Sequence, residues 1–245
     1  MRIRRKPWAR PELAECPFCI DDPENHIGHW HELFPKQQPL HLELGCGKGG
    51  FMAQKAVSNP DINFIAVDIK SDILGLTKRN IEKSYEEAGK ETDNVRIFAY
   101  DIERILQVFD SNDVVDRIYI NFCDPWPRKK NAKRRLTYHT FLEKYKKVLK
   151  LGGQIHFKTD NAKLFEWSLP EMESCYLELH NLTRDLHANG PVGIMTGYEE
   201  KFYALGTPIN RVEAVVVTKQ PRPADEKGEG EENNTPTDDG KEQES

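Results

Sequence analysis

A doubly wound α/β fold, a mostly parallel sheet with helices on both faces, is predicted by three observations on this 245-residue chain. Short apolar runs alternate with longer amphipathic ones, the pattern of successive βαβ units. The first apolar run ends in a glycine-rich turn, Gly45-Cys46-Gly47-Lys48-Gly49-Gly50, as strands that feed a ligand-binding loop do. Carboxylates recur at or beside the ends of the apolar runs, where an open α/β sheet places its ligands. Hydrophobic residues make up 38% and charged residues 31%, enough apolar material for a core in a water-exposed protein. No run reaches the ~18 apolar residues of a membrane span. The N-terminus lacks the layout of a secretory signal. Membrane and secreted classes therefore drop out, and a cytoplasmic location is expected.

In chain order, residues 1–38 hold prolines at 7, 11, 17, 23 and 35 and read as an irregular basic arm lying on a domain. The domain spans 39–220. Its strands are expected at Leu40–Gly45, Asn63–Ile69, Val95–Tyr100, Asp116–Phe122, Gln154–Lys158 and Arg211–Thr218. Helices are expected at Gly49–Val57, Ser71–Ala88, Thr137–Leu149 and Ala162–Glu173. Residues 221–245 contain no aromatic residue and no Val, Ile, Leu or Met, so they cannot offset the entropy of ordering and read as an acidic disordered tail.

The net charge of −5 is an average over unequal parts. The last 25 residues carry nine acidic and three basic side chains, so residues 1–220 sum to +1. Five basic residues fall in the first ten (Arg2, Arg4, Arg5, Lys6, Arg10), and six fall between Arg128 and Arg135. That polarity favours a polyanionic partner.

The glycine turn matches G-x-G-x-x-G at Gly45, Gly47 and Gly50, a pattern shared by dinucleotide and methyl-donor sites. Glu43, two residues upstream, separates them. Its charge repels a pyrophosphate and attracts the ammonium or sulfonium of S-adenosylmethionine. Asp68, 23 residues after Gly45, is placed to accept from ribose hydroxyls, and Asp101 to meet the adenine amine. Any one of these taken alone reads equally well as a solvated loop carboxylate; three at successive strand ends do not.

After the fourth strand comes Asn121-Phe122-Cys123-Asp124-Pro125-Trp126-Pro127, then Arg128-Lys129-Lys130-Asn131-Ala132-Lys133-Arg134-Arg135. Two prolines around one Trp stiffen a turn that presents Asp124 and an aromatic surface beside dense positive charge. Unstacked bases and their phosphates are held by that combination.

The glycine loop, the DPWP turn, the KRR-L-T-Y segment, Phe157–Asn161 (FKTDN) and Thr196–Glu199 (TGYE) occur in order. Together they resemble the tRNA (guanine-N7-)-methyltransferase family, from Arg4–Trp8 to Glu213. The resemblance implies a Rossmann-like class I methyltransferase fold, S-adenosylmethionine as cofactor and tRNA as partner, with no membrane, in a monomer or a homodimer. It also implies that Glu43, Gly45, Gly47, Asp68, Asp101 and Asp124 line the cofactor pocket, and that Asp124 is catalytic. Arg128, Asp160, Thr196, Gly197, Tyr198 and Glu199 match substrate-binding positions, and Lys130, Lys133, Arg134 and Arg135 fall in the RNA-contacting stretch. Two positions depart from the family pattern. Arg128 replaces a lysine, keeping the charge but with a planar fork. Gly197 stands where a larger residue, often Glu, is usual.

Guanine N7 carries a lone pair and no proton, so its attack on a sulfonium methyl needs placement and charge stabilisation, not a base. An exocyclic-amine methyltransferase is the rival enzyme, but its [DN]-P-P-[aromatic] turn wants the aromatic fourth, whereas Trp126 is third. A non-catalytic tRNA-binding module is the rival of another class, and the intact acidic and glycine positions speak against it. Cys16-Pro17-Phe18-Cys19, with His26, His29 and His31, offers four zinc ligands in number. The histidine spacing is off-pattern, and no metal is expected. The five cysteines, without an export signal, suggest a reducing compartment.

Overall fold

In a computed structural model, residues 5–223 are described. Strand β1 (Leu40–Leu44) is buried along its whole length, as a central parallel strand covered on both faces must be. It pairs in parallel with β2 (Asn63–Asp68) on one side and β4 (Val115–Asn121) on the other. β3 (Val95–Ala99) extends the sheet beyond β2, and β5 (Leu149–Thr159) beyond β4. Two antiparallel strands, β7 (Asn210–Val216) and β6 (Leu177–Thr183), complete the order β3-β2-β1-β4-β5-β7-β6. The chain winds outward from β1 in one direction, then restarts at β4 in the other. The switch point lies between the ends of β1 and β4, where ligands bind in such sheets.

Alternation along the strands splits the core into two layers. Leu40, Leu42 and Leu44 join Ile65, Val67, Ile118 and Ile120 under α4 (His139–Val148) and α5 (Ala162–Ser174). Phe64, Ala66, Ile97 and Tyr119 face α1 (Ala9–Ala14), α2 (Gly50–Ser58) and α3 (Ser71–Ala88). The expected doubly wound sheet with helices on both faces is the observed one. Strand and helix ends moved by a few residues, and besides α1 in the N-terminal segment two elements were not expected. β6 is an edge strand interrupted by Asn181 at φ 49°, and its weak alternation hides it. The other is α6 (Gly197–Ala204), which begins at a glycine and is too short for a periodic signal.

The N-terminal segment is more integrated than an arm lying on a domain. Ala9, Leu13, Phe18 and Trp30 are buried, and Ile20 and Phe18 exchange backbone hydrogen bonds with Ile97 at the β3 edge. Trp30 stacks on Phe98 and Phe109 at 5.0 Å and donates its indole N–H to Val108 O. Truncating such a residue costs about 3–5 kcal/mol. Helix α1 docks where Gly75 leaves room: a Cβ there would lie 2.7 Å from Ala9 Cβ and 2.9 Å from the Trp8 ring. Arg79 covers that ring at 3.6 Å and pairs with Glu12. The prolines limit helix length without preventing burial. Arg2 and Arg4, and the expected acidic tail from 224 onward, lie outside the described residues. No helix among the described residues is long and apolar enough to cross a membrane.

Candidate active site

The half of the candidate site expected to hold the cofactor grows from the ends of β1 and β2. Gly47 has φ +56°, and a Cβ there would meet nothing within 4 Å, so the backbone is open to a ligand. Gly49, at φ +73°, is required for packing instead, since a Cβ would lie 2.3 Å from Thr77 Cγ2. The loop is pinned by side chains around it. Thr77 Oγ1 donates to Gly47 O at 2.8 Å, and Gly47 N donates to Asp68 Oδ2 at 3.1 Å. Asp68 also receives Lys70 N through Oδ1 at 3.1 Å. Each Asp68 oxygen keeps a further lone pair for a hydroxyl donor. Burial raises its pKa. Asp101 lies just beyond β3 and caps the following 3-10 turn by accepting from Glu103 N at 3.0 Å.

Glu43 is the unusual group. It is 2% exposed, and Asn121 Nδ2 donates to its Oε1 at 3.0 Å. Its Oε2 is buried with no hydrogen-bond partner among the described residues, as is Asn121 Oδ1. Desolvation lifts its pKa to about 8, against the lowering effects of the Asn121 hydrogen bond and the Lys158 charge. A buried carboxylate with an unused oxygen, at the root of a glycine loop on the switch-point strand, fits a cationic ligand. The ammonium of S-adenosylmethionine would satisfy it, with Gly45, Gly47 and Asp68 holding the rest of the cofactor. The expected position of Glu43 at the strand end is kept, but the side chain is an interior group and not a solvated loop carboxylate.

The half expected to hold the substrate grows from the ends of β4 and β5. Asp124 is exposed in a turn flanked by two non-glycine residues with positive φ, Phe122 at 53° and Trp126 at 42°. Such conformations cost roughly 1–2 kcal/mol each and persist only when their surroundings enforce them. Here the enforcement is explicit. Phe122 N donates to Lys158 O at 2.9 Å, and the Phe122 ring lies near-parallel to those of Tyr198 and Phe202 of α6, with centroids 6.5 Å away. Arg135 donates from Nε to Pro125 O and from Nη2 to Trp126 O, both at 3.0 Å, while its guanidinium lies 4.2 Å from the Trp167 ring centre.

Arg135 thus differs from its neighbours in the basic stretch. Lys130, Lys133 and Arg134 are exposed on or at the end of a 3-10 turn, and Arg128 precedes it, also exposed. Arg134 covers the Trp126 ring at 4.6 Å. Asp160 follows β5, half-buried, beside Asn161, which caps α5 by accepting from Leu164 N at 2.8 Å. Thr196 caps α6, Gly197 and Tyr198 are exposed, and Tyr198 shows 63% of its surface. Glu199 is 0% exposed and faces inward. The structure therefore brings Thr196 and Tyr198 to the same strand ends as Asp124, and turns Glu199 away from solvent.

Asn121, Phe122 and Lys158 were not singled out from sequence. Their signal is a polar residue, or a turn residue, at the carboxyl end of an otherwise buried strand. The T-x-x-E spacing of Thr196 and Glu199 is also a capping box, formed here in both directions, and could have revealed α6. Cys46 and Cys123 flank the site with thiol pKa values raised by burial, Cys123 to about 12, so they are packing groups at neutral pH. Among the described residues no three His, Cys, Asp or Glu side chains converge on a metal position. His29 instead meets Glu32, and His31 meets Asp113 O.

Comparison with known proteins agrees with this geometry. Residues 37–212 match a family model described as "Putative methyltransferase". The tRNA (guanine-N(7)-)-methyltransferase of Clostridium beijerinckii is 50% identical over 210 residues, covering 85% of this chain and 96% of that one. Its counterpart in Clostridium perfringens is 50% identical over 211 residues, with the same coverage. Among solved structures, the 16S rRNA methyltransferase KamB superposes with a TM-score of 0.59 at 13% identity, covering 77% of this chain and 92% of that one, a likeness of fold alone. With half of the aligned residues identical over nearly the full length of these relatives, the chain belongs to the tRNA (guanine-N7-)-methyltransferase family.

Proposed function

We propose that this chain transfers the methyl group of S-adenosylmethionine to N7 of a guanine in the variable loop of tRNA, with Asp124 orienting the base. The observation that carries the reading is the Asn121–Glu43 hydrogen bond across the switch point. It ties the buried carboxylate proposed for the cofactor to the last residue of β4, three residues before Asp124 in the following turn. Cofactor and base are thereby referred to one rigid pair of strands.

The bound cofactor supplies an electrophilic methyl on a sulfonium. Glu43 in its ionised form balances the cofactor's ammonium from an interior position, where water does not weaken the interaction. Asp68 and the Gly47 backbone fix the ribose end. Asp124 and Asp160 accept from guanine N1–H and the exocyclic amine, which turns N7 toward the methyl. Their negative charge favours the positive charge that develops on the purine. No proton leaves N7, so no side chain need act as a base. Arg128, Lys130, Lys133 and Arg134 present the cationic surface for the phosphates, and the exposed face of Tyr198 serves as a stacking surface.

The test is methylation of unmodified tRNA with labelled S-adenosylmethionine, followed by digestion and nucleoside identification. 7-Methylguanosine is the expected product. A methyl on an exocyclic amine would favour the rival enzyme class, and cofactor binding without transfer would favour a binding module.

A further inference from the structure

Glu199 presents a contradiction that the substrate-binding role implied for its segment does not resolve. A carboxylate that touches a guanine must reach it, yet this one is fully buried and its oxygens are taken. Oε2 receives Lys158 Nζ at 2.5 Å and Thr196 N at 3.1 Å. Oε1 receives His187 Nε2 at 3.0 Å. Val192 N donates to His187 Nδ1 at 3.1 Å, which makes Nδ1 the acceptor and leaves the proton on Nε2, directed at Glu199. Two points of the 187–199 segment, His187 and Thr196, therefore converge on one carboxylate, and Val192 joins them through His187.

Lys158 is the group that ties this cluster to the sheet. Its side chain is 11% exposed, and its Nζ lies 5.4 Å from the centre of the Phe51 ring and 3.5 Å from Ile194 O. In the β4–β5 register it stands opposite Asn121, the residue that holds Glu43. Its own carbonyl accepts from Phe122 N at the start of the Asp124 turn. One residue thus touches the Asp124 turn through its backbone and the 187–199 segment, at Ile194 O and Glu199, through its side chain.

We propose that Lys158 is a positioning residue whose ion pair with Glu199 latches the 187–199 segment to β5, so that Thr196 and Tyr198 meet the base in register with Asp124 while Glu199 itself does not touch it. The proposal rests on the tRNA-guanine reading above. Removing one member of a buried pair leaves the other uncompensated, whereas removing both does not.

The experiment compares Lys158→Met, Lys158→Arg, Glu199→Gln and the Lys158→Met/Glu199→Gln double variant in steady-state methylation of tRNA. Backbone amide exchange is measured on the same full-length proteins. Lys158→Met and Glu199→Gln should each lower kcat/KM for tRNA by about 10- to 100-fold, the scale of a misplaced substrate group. Lys158→Arg should recover most of that loss. The double variant should be no worse than the poorer single, because paired residues are non-additive. Exchange should quicken across 187–199 in Lys158→Met and stay unchanged in the glycine loop. Losses that multiply in the double variant, with unchanged exchange, would mean that Glu199 contacts the base directly and would overturn the latch. So would a Lys158→Met enzyme within twofold of wild type. If Lys158→Met does not fold, Glu199→Gln supplies the exchange readout, quickened across 187–199, with Lys158→Arg as the variant in which it stays near wild type. A wild-type protein that fails to methylate tRNA would count against the functional reading, and the exchange measurement would still decide the latch.

Discussion

The two halves of the site are built from opposite materials. The cofactor half is interior: Glu43 is buried, and the glycine loop is fastened by backbone bonds to Asp68, Thr77 and Val67. The substrate half is at the surface: Asp124 is exposed on a strained turn held by side chains that arrive from α5, α6 and the basic stretch. On the proposed reading, a small ligand would meet a pre-formed interior site, and a large polyanion an exposed turn whose shape depends on cross-braces. Changes in the first half should therefore alter cofactor affinity, and changes in the second should alter transfer or RNA binding.

The largest expected effect separates them outright. Asp124→Asn keeps size but loses the charge that favours the methylated purine, and kcat should fall on the order of 10²- to 10³-fold. Cofactor affinity, read by calorimetry, should stay within a few-fold, because Asp124 is exposed and Glu43 is untouched. Near wild-type turnover, or cofactor binding lost in parallel, would break the division. Glu43→Gln should do the reverse. Losing a buried charge-assisted hydrogen bond, worth about 1.5–3 kcal/mol, predicts a roughly 10- to 100-fold weaker cofactor, with kcat at saturation much less affected.

Arg135→Ala sharpens the comparison within the basic stretch. Its guanidinium is engaged with two carbonyls of the turn, so its loss should lower kcat by about 10-fold with little change in the salt dependence of tRNA binding. Arg134→Ala, on an exposed residue, should instead weaken tRNA binding and reduce the salt slope by about 0.7–0.9. Filter-binding titrations over a range of salt would distinguish the two. Equal salt slopes for both variants would show that Arg135 contacts phosphate after all.

How much of this was legible in the sequence follows the same division. The βαβ alternation and the glycine loop are local patterns, so the central strands, α3 at Ser71–Ala88 and the place of Glu43 could be read directly. What could not be read depends on contacts distant in sequence. The prolines of the N-terminal segment concealed Trp30 and Ala9, whose burial comes from α3 and β3 partners far along the chain. Arg135 and Arg134 are chemically alike and adjacent, and only the fold assigns one to the turn and the other to solvent. Glu199 appeared as one more acid of a recognised segment until Lys158 and His187 were seen to take its oxygens. The Phe122 and Trp126 conformations had no sequence signal beyond the flanking prolines.

The central claim is that pH sensitivity belongs to the buried cofactor carboxylate and not to the transfer step. Burial pushes the Glu43 carboxyl up to about 8 from its ordinary 4.5. Folded protein therefore binds more protons than unfolded protein between these values, and this group's contribution to stability falls as pH rises from 4.5 to 8. A cationic cofactor binds the ionised form, so its affinity should climb over the same range, approaching a tenfold gain per pH unit below 8 and levelling above it. The most direct measurement is single-turnover methyl transfer from pH about 6.5 to 8.5, with cofactor affinity measured on the same samples. The predicted result is a climbing affinity with a transfer rate, at saturating cofactor and tRNA, that stays flat within about twofold. A transfer rate rising about tenfold per pH unit at saturation would reveal a catalytic base and contradict attack by an unprotonated guanine N7 that Asp124 merely orients.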